Sequence, residues 1–300
     1  MYDIIGDIHG YADKLEELLI KLGYHKKSKY YSHPERKVIF VGDYIDRGPQ
    51  IKETLSIVRN MVDESTAIAI LGNHEYNALC YITETTAGKY LRENNKKNFT
   101  QHKETLKQFE YYPKEWKDYL EWMKSLPLYL DLEDLRIVHA YWNKNNIKLL
   151  GDKITLSREF LLYIHNESID QCNAIEETLK GLEHKIPNNY FFKDKDGHER
   201  FYNRVKWWVN PANRNYDECY FEEVKELSGM PFELESSTGD YYYPNTDPLV
   251  FCGHYWLNGN PALQASNVSC LDYSIAKGGI LTAYRWYGEK SLNEKNLVWV

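Results

Sequence analysis

The residues best suited to chemistry lie in the nonapeptide V-G-D-Y-I-D-R-G-P, residues Val41–Pro49. An apolar, β-branched run leads into it and predicts a buried strand that ends at Gly42. Asp43, Asp46 and Arg47 then follow on the loop that leaves the strand's carboxyl end, where open α/β sheets bind their ligands. Two carboxylates and a guanidinium on one short loop suit a metal ion beside a phosphate group.

Four further predicted strands end in residues that can bind metals. We list them in chain order: Asp7 and His9, Asn73 and His74, His139, and His254. Because parallel strands of one sheet bring their carboxyl ends together, we expect these side chains to converge with Asp43 and Asp46. A mixed set of oxygen and nitrogen ligands suits manganese, iron or zinc better than calcium or magnesium. One ion would leave too many ligands unused, so the set favours two ions that share a carboxylate.

The order of elements predicts an α/β fold. Strand, glycine-containing loop and helix follow one another three times before residue 83, which indicates a parallel sheet with right-handed crossovers. Residues 268–271 and 280–287 are predicted as closing, antiparallel strands. No linker is visible, so we expect one domain over residues 1–300 with an insertion or cap at about 143–248.

Composition narrows the functional classes. The formal net charge is −7, which argues against non-specific binding to nucleic acid. The five cysteines are widely spaced and form no C-x-x-C pair, which predicts reduced thiols rather than a disulfide framework. Neither an N-terminal signal nor an apolar run of membrane-spanning length is present, so we expect a cytoplasmic protein.

The motifs G-D-I-H-G, G-D-Y-I-D-R-G-P and G-N-H-E, followed by two isolated strand-end histidines, resemble those of calcineurin-like metallophosphoesterases of the phosphoprotein-phosphatase type. The resemblance covers roughly residues 1–80, 135–142 and 249–285, but not the middle of the chain. It implies a metallophosphatase sandwich of β-sheets flanked by helices, with a large mixed insertion. It also implies a hydrolase of phosphoric esters or anhydrides with two divalent ions, for which we expect manganese, with iron or zinc as alternatives.

The resemblance also implies a role for each strand-end residue. Asp7 and His9 would bind the first metal, Asp43 would bridge both metals, and the second would be completed by Asn73, His139 and His254. A water shared by the two ions would attack phosphorus in line. Asp46 would hold His74, which would protonate the leaving group, and Arg47 would grip the phosphoryl oxygens.

Departures from the family pattern bear on the substrate. Leu71 stands before G-N-H-E where protein phosphatases of this type usually carry arginine, and leucine there resembles bacterial diadenosine tetraphosphatases. Asp46 argues against that resemblance, because symmetrical hydrolases of the diadenosine tetraphosphatase group commonly lack this acid. We expect a nucleotide or dinucleoside polyphosphate, with a phosphoprotein as the alternative and an inactive binding protein as a second one. A second phosphate-binding arginine should come from the middle of the chain, with Arg204 and Arg214 as candidates and Arg200 as a weaker one.

Several other residues with reactive or aromatic side chains are expected to have structural roles. The aromatic pair Trp207-Trp208 and the run 241–243 could stack on a nucleobase, although core packing is the expected role. Asp272 is expected to shape a loop. We predict that the remaining histidines lie on the surface: His25, His33, His102, His165, His184 and His198.

Overall fold

The computed structural model describes residues 1–151, 155–193, 197–233 and 241–300. The helices in this part of the chain are α1 (Ala12–Lys21), α2 (Ile51–Asp63), α3 (Asn73–Ile82), α4 (Lys96–Phe109), α5 (Pro113–Lys124), α6 (Lys144–Leu150), α7 (Arg158–Asn166), α8 (Ile169–Lys180) and α9 (Tyr216–Cys219). The strands are β1 (Tyr2–Ile5), β2 (His25–Lys27), β3 (Tyr30–Ser32), β4 (Lys37–Phe40), β5 (Ala67–Ala69), β6 (Tyr129–Asp131), β7 (Leu135–Val138), β8 (Glu183–Lys185), β9 (Phe192–Lys193), β10 (Glu199–Arg200), β11 (Tyr202–Arg204), β12 (Leu249–Cys252), β13 (Val268–Cys270), β14 (Asp272–Tyr273), β15 (Ile280–Trp286) and β16 (Leu297–Trp299).

The first large sheet contains the three strand–loop–helix units. Its order is β14-β15-β1-β4-β5, with β16 paired to β15. Strands β1, β4 and β5 are parallel, as the sequence predicts, and β15 runs antiparallel to β1. The predicted antiparallel strand at 280–287 is therefore confirmed as β15.

A second sheet, in the order β13-β12-β7-β6, carries the strands that precede His139 and His254. Strands β7, β12 and β13 are parallel to one another. Two expectations are therefore wrong. The ligand-bearing strands belong to two sheets rather than one, and residues 268–270 pair parallel to β12 rather than closing the fold in the antiparallel sense.

The two sheets pack face to face. Side chains alternate along each strand, so Ile4 and its register partner Ile39 point into an inter-sheet core that also contains Ile137 and Phe251. The opposite face of the first sheet is covered by the apolar sides of α1 and α2. This arrangement is the predicted α/β sandwich of sheets flanked by helices.

Residues between β7 and β12 form shorter helices and small ladders, including β8 with β11 and β9 with β10. Trp207 is fully buried and donates from its indole N–H to the carbonyl oxygen of Ala140 at 3.1 Å. Trp208, Tyr241 and Tyr243 are also buried. These aromatics act in core packing, which matches the expected role rather than base stacking.

A buried ion pair ties the start of the first sheet together. Arg36 Nε lies 2.8 Å from Asp3 Oδ2, and both side chains are at most 2% exposed. Replacing Arg36 with leucine should lower the free energy of unfolding by about 3 kcal/mol, the lower end of the range for a broken buried pair, because Asp3 would be left with its longer ion pair, to Arg285 Nε at 3.6 Å. Chemical denaturation measures this change. Lys14→Met, which breaks an exposed pair with Glu17, serves as the control and should leave the midpoint unchanged.

Within the described ranges, no helix has the length and apolar character needed to span a membrane. The five cysteines are all buried, and each is a free thiol, as predicted.

Candidate metal centre

Loops from both sheets meet at Asp43. The Nε2 atom of His9 lies 3.6 Å from Asp43 Oδ2, and that of His139 lies 3.4 Å from Asp43 Oδ1. His74 Nε2 is 3.9 Å from Asp43 Oδ2. Asp43 is only 2% exposed, so its carboxylate is a buried centre approached by three imidazoles.

Asn73, His254 and Asp7 complete the arrangement. The amide oxygen of Asn73 lies 3.0 Å from His139 Nε2 and 2.8 Å from His254 Nδ1. The backbone N–H of His254 donates to Asp7 Oδ2 at 3.0 Å, which links the end of β12 to the end of β1. All six predicted metal ligands therefore lie in one buried cluster.

Two overlapping sets of described residues have donor atoms close enough to hold a metal ion. One contains His9, Asp43 and His74, and the other contains Asp43, His139 and His254. Asp43 belongs to both sets, the position that the sequence predicts for a bridging carboxylate. The first set differs from the prediction because it omits Asp7 and includes His74, for which the family resemblance implies the role of proton donor.

Glycines allow the loops to approach so closely. A Cβ atom on Gly253 would lie 1.9 Å from Asp7 Oδ1, and one on Gly72 would lie 2.3 Å from Asp43 Oδ1. Any side chain at either position would displace a carboxylate of the cluster. Gly253 and Gly72 are thus steric requirements of the site.

The cluster also concentrates uncommon backbone conformations. Non-glycine residues with positive φ include His9 (47°), Asp43 (55°), Asp46 (67°), Arg47 (72°) and His254 (72°). Each such conformation costs free energy and persists only where the surrounding structure enforces it. These loops are therefore held in shapes that place side chains, at the expense of local backbone preference.

The side chains fit a cation in several respects. Asp7 Oδ1, His9 Nε2 and His254 Nε2 are buried and lack a hydrogen-bond partner among the described residues. The Nδ1 atom of His9 lies 3.1 Å from the carbonyl oxygen of Ile45, to which only a protonated nitrogen can donate. That bond leaves a lone pair on Nε2, the form in which histidine binds metals.

Electrostatics favour the same conclusion. Burial, together with Asp272 and Asp43, raises the pKa of Asp7 well above its ordinary value. Burial and the neighbouring His74 lower the pKa of His9 to about 4, which keeps its imidazole neutral. Buried carboxylates that repel one another beside neutral imidazoles are stabilised by bound cations.

His74 and Asp46 form a tight pair beside the cluster. The Nδ1 atom of His74 is 2.6 Å from Asp46 Oδ2. Burial lowers the pKa of His74, but Asp43 and Asp46 outweigh burial and the net pKa is raised. Burial raises the pKa of Asp46, but hydrogen bonds from His102 and His74 outweigh it, so the carboxylate stays ionised.

Sequence reasoning missed His102. It was predicted to lie on the surface, yet it is only 5% exposed and its Nδ1 is 2.7 Å from Asp46 Oδ1. His184 is also buried, against Tyr220, so the surface prediction is wrong for both residues. The available signal was helical spacing, since His102, Thr105 and Phe109 recur on the buried face of α4.

Glu75 is a second residue whose role the sequence did not reveal. Its buried carboxylate accepts hydrogen bonds from the backbone N–H groups of Asp43 (2.9 Å), Tyr44 (2.8 Å) and Gly72 (3.0 Å). It therefore ties the loop after β4 to the start of α3. Asp272 acts similarly and accepts from the backbone of Trp256 and Ser274, which confirms its expected structural role.

A cavity of about 620 Å³ opens beside the cluster, lined by Arg47, Arg204, Trp256 and Lys277 among others. The weaker candidate of the sequence analysis, Arg200, also lines this cavity. Arg47 is exposed and its guanidinium carbon lies 5.8 Å from the centre of the Trp256 ring. Arg204 is half-buried and close enough to His254 to lower the pKa of that imidazole, after the larger effect of burial. Both arginines thus face the candidate site.

Arg214 lies elsewhere. It is exposed, pairs with Glu218 on α9 and does not line the cavity. Of the two arginines proposed from the sequence as phosphate ligands, the structure places Arg204 at the cavity and Arg214 away from the cluster. The reason is local, because Arg214 lies just before α9, is exposed and pairs with Glu218 of that helix.

The family model described as calcineurin-like phosphoesterase matches residues 2–255. The chain belongs to the calcineurin-like phosphoesterase family. The matched range includes every residue of the candidate metal cluster, together with His74, Asp46 and the three cavity arginines.

Two relatives of this chain share the name bis(5′-nucleosyl)-tetraphosphatase PrpE [asymmetrical]. The protein from Oceanobacillus iheyensis is 33% identical over 173 residues, which is 54% of this chain and 63% of the relative. That from Halalkalibacterium halodurans is 49% identical over 74 residues, 24% of this chain and 30% of the relative. The matches thus span less than two thirds of either relative.

One solved structure, a Saccharomyces cerevisiae protein serine/threonine phosphatase with similarity to human PP5, aligns with a TM-score of 0.51. The alignment covers all of this chain and 78% of that one at 14% identity. At this identity the likeness shows the fold alone.

Proposed function

We propose that this calcineurin-like phosphoesterase hydrolyses phosphoric anhydrides of nucleotides, with a dinucleoside polyphosphate as the preferred substrate. The observation that carries the proposal is the shared position of Asp43 between two ligand sets, next to the His74–Asp46 pair and a cavity lined by arginines. The relatives named as bis(5′-nucleosyl)-tetraphosphatases support the choice of substrate.

Two divalent ions, manganese with iron or zinc as alternatives, would supply Lewis acidity and lower the pKa of the attacking water when bound. In our proposal Asp7 and His9 hold the first ion and Asp43 reaches both. The second ion is held by Asn73, His139 and His254. The partnerless nitrogens and oxygen of this cluster support the assignment.

His74 is the proposed proton donor. Its Nδ1–H is fixed by Asp46, so its Nε2 is the atom that can face the oxygen of the departing phosphate. An ionised Asp46 stabilises the protonated imidazole before the proton is transferred. The raised pKa of His74 supports this role, because a proton donor must carry its proton near neutral pH.

Arg47 and Arg204 are the proposed phosphate ligands. A guanidinium can donate two parallel hydrogen bonds to phosphoryl oxygens, whose charge grows in the transition state. Among the described residues, no carboxylate forms an ion pair with Arg204, although this side chain is half-buried. Leu71 is fully buried and contributes no charge to the cleft, so the positive charge must come from the residues that line the cavity, Arg47 and Arg204 among them.

The cavity suits an extended anion that carries bases. Its volume lies within the usual range for small-molecule sites, and its wall includes the exposed ring of Tyr202. Four cations and two carboxylates also line it: Arg47, Arg200, Arg204, Lys277, Glu183 and Glu222. A chain of phosphates can contact the cations while a base lies on an aromatic face. We further propose that residues 143–248 form an insertion within one domain, and that the protein acts in the cytoplasm, where its cysteines would stay reduced.

A direct comparison of substrates tests the proposal. With manganese present, hydrolysis of diadenosine tetraphosphate should exceed that of mononucleotides and of a phosphoserine peptide in kcat/KM. Preference for the phosphopeptide would instead indicate a protein serine/threonine phosphatase. Absence of turnover with any of the three, with manganese, iron or zinc, would indicate a binding protein on this fold.

Removing one arginine tests the proposed phosphate contacts. Arg204→Ala should lower kcat/KM for diadenosine tetraphosphate by roughly 10–200-fold, since a charge-assisted hydrogen bond to phosphate contributes about 1.5–3 kcal/mol. Arg214→Ala is the matched control and should leave kcat/KM unchanged, because this arginine pairs with Glu218 on the surface. Equal losses in the two variants would contradict the assignment. Steady-state kinetics at fixed salt supply the measurement.

A further inference from the structure

Helix α4 supplies two side chains to the carboxylate that holds the proposed proton donor. His102 Nδ1 lies 2.7 Å from Asp46 Oδ1, and the hydroxyl oxygen of Thr105 lies 2.6 Å from the same atom. Since an ionised carboxylate only accepts, the His102 nitrogen and the Thr105 hydroxyl are both donors. Neither residue belongs to a motif at the ends of the sheet strands.

The two carboxylate oxygens of Asp46 therefore have different hydrogen-bond partners. Oδ1 accepts hydrogen bonds from His102 and Thr105, whereas Oδ2 accepts one from His74 at 2.6 Å. The backbone N–H of Asp46 also donates to the Thr105 hydroxyl oxygen at 3.0 Å. Two donors on one oxygen fix the plane of the carboxylate, and that plane sets the direction from which His74 is held.

Packing alone does not account for a histidine at position 102. The side chain is about 95% buried, and its Nε2 atom has no hydrogen-bond partner among the described residues. Its ring lines a cavity of about 10 Å³ together with Asn77, Tyr81 and Arg92. Burying an imidazole with one unpaired nitrogen costs free energy, which an apolar residue of similar size would avoid.

We propose that His102, assisted by Thr105, is a positioning residue that holds Asp46 in the orientation from which its Oδ2 aligns His74 for proton transfer to the leaving oxygen. This inference rests on the proposed phosphoesterase function. In the step concerned, the bond between phosphorus and the leaving oxygen breaks, and that oxygen takes the proton from His74 Nε2. The oxygen of water joins the phosphate product, and a proton from that water restores His74. His102 and Asp46 undergo no net change.

Substrates whose leaving groups differ in basicity show whether His102 positions the proton donor or only stabilises the fold. Phenyl phosphate releases a basic oxygen that needs a proton, whereas p-nitrophenyl phosphate releases an anion that needs little help. His102→Leu should lower kcat for phenyl phosphate by roughly 10–100-fold, as expected for a lost supporting hydrogen bond, with KM nearly unchanged. The loss for p-nitrophenyl phosphate should be much smaller.

A second variant tests the hydrogen bond itself. His102→Asn keeps an N–H donor near the position of Nδ1 and should recover most of the kcat for phenyl phosphate. Thr105→Val removes the other donor to Asp46 Oδ1 and should show the same dependence on the leaving group, whereas Thr105→Ser should not. This pair supplies the test if His102→Leu fails to fold.

The control is a histidine outside this network. His165 on α7 is half-buried and stacks on Tyr76, and no described contact joins it to Asp46. His165→Asn should leave both substrates unaffected. Equal losses of kcat for the two substrates in both His102→Leu and Thr105→Val, or no loss in either, would overturn the proposal. Failure of the unmodified protein to hydrolyse diadenosine tetraphosphate as well as both esters with manganese would instead refute the proposed function.

Discussion

Replacing His74 with asparagine should lower kcat by about 10²–10⁴-fold, the usual contribution of a positioned general acid. Asparagine retains an N–H group that can reach Asp46 but has no nitrogen that can carry a transferable proton. The loss should therefore fall on the chemical step, with KM changed much less. Steady-state kinetics with diadenosine tetraphosphate and with phenyl phosphate measure it.

Metal content decides between two roles for His74. Its Nε2 is 3.9 Å from Asp43 Oδ2, and the geometry alone groups it with His9 and Asp43 as a possible ligand. If His74 is the proton donor, His74→Asn should bind as much metal as the unmodified protein, measured by elemental analysis after dialysis. A variant that loses one ion would show that His74 is a ligand and that another group protonates the leaving oxygen.

Replacing Asp43 with asparagine should remove metal as well as activity, unlike His74→Asn. The two oxygens of Asp43 face different partners, since Oδ1 is 3.4 Å from His139 Nε2 and Oδ2 is 3.6 Å from His9 Nε2. An uncharged amide with one donor end cannot serve both ligand sets. We expect kcat/KM to fall by at least about a thousandfold, because bound ions contribute several kcal/mol of transition-state stabilisation.

The control for Asp43→Asn is an acid on the surface. Asp118→Asn removes an exposed partner of Arg59 and should change neither metal content nor turnover. Far-UV circular dichroism should show that both variants are folded. An Asp43→Asn protein that retains two ions would contradict the bridging role.

The sequence located the candidate metal cluster because each predicted ligand lies within four residues of the end of a strand. Residue type and position therefore appear together in one short motif. The motifs at Asp7, Asp43 and Asn73 also follow parallel strands of one sheet, as predicted. The placement of His139 and His254 was predicted correctly for an incomplete reason. Their strands lie in a second sheet, and the packing of one sheet on another depends on long-range contacts that no local pattern displays.

The residues around the cluster were harder to predict. His102 lies in a polar stretch, and its burial depends on α4 packing beside the loop of Asp46. In the middle of the chain, Arg204 and Arg214 could not be separated by motif. Their places in the fold distinguish them. Strand β11 pairs Arg204 with Glu183 of β8 at the edge of the cavity, whereas Arg214 forms an ion pair with Glu218 of α9.

Stepwise addition of manganese to metal-free protein, with hydrolysis of diadenosine tetraphosphate measured at each step, tests the central claim most directly. We expect no turnover without metal and a rise that reaches its plateau at two equivalents per chain, as a shared Asp43 requires. Turnover that is independent of metal, or that is complete at one equivalent, would contradict a binuclear centre.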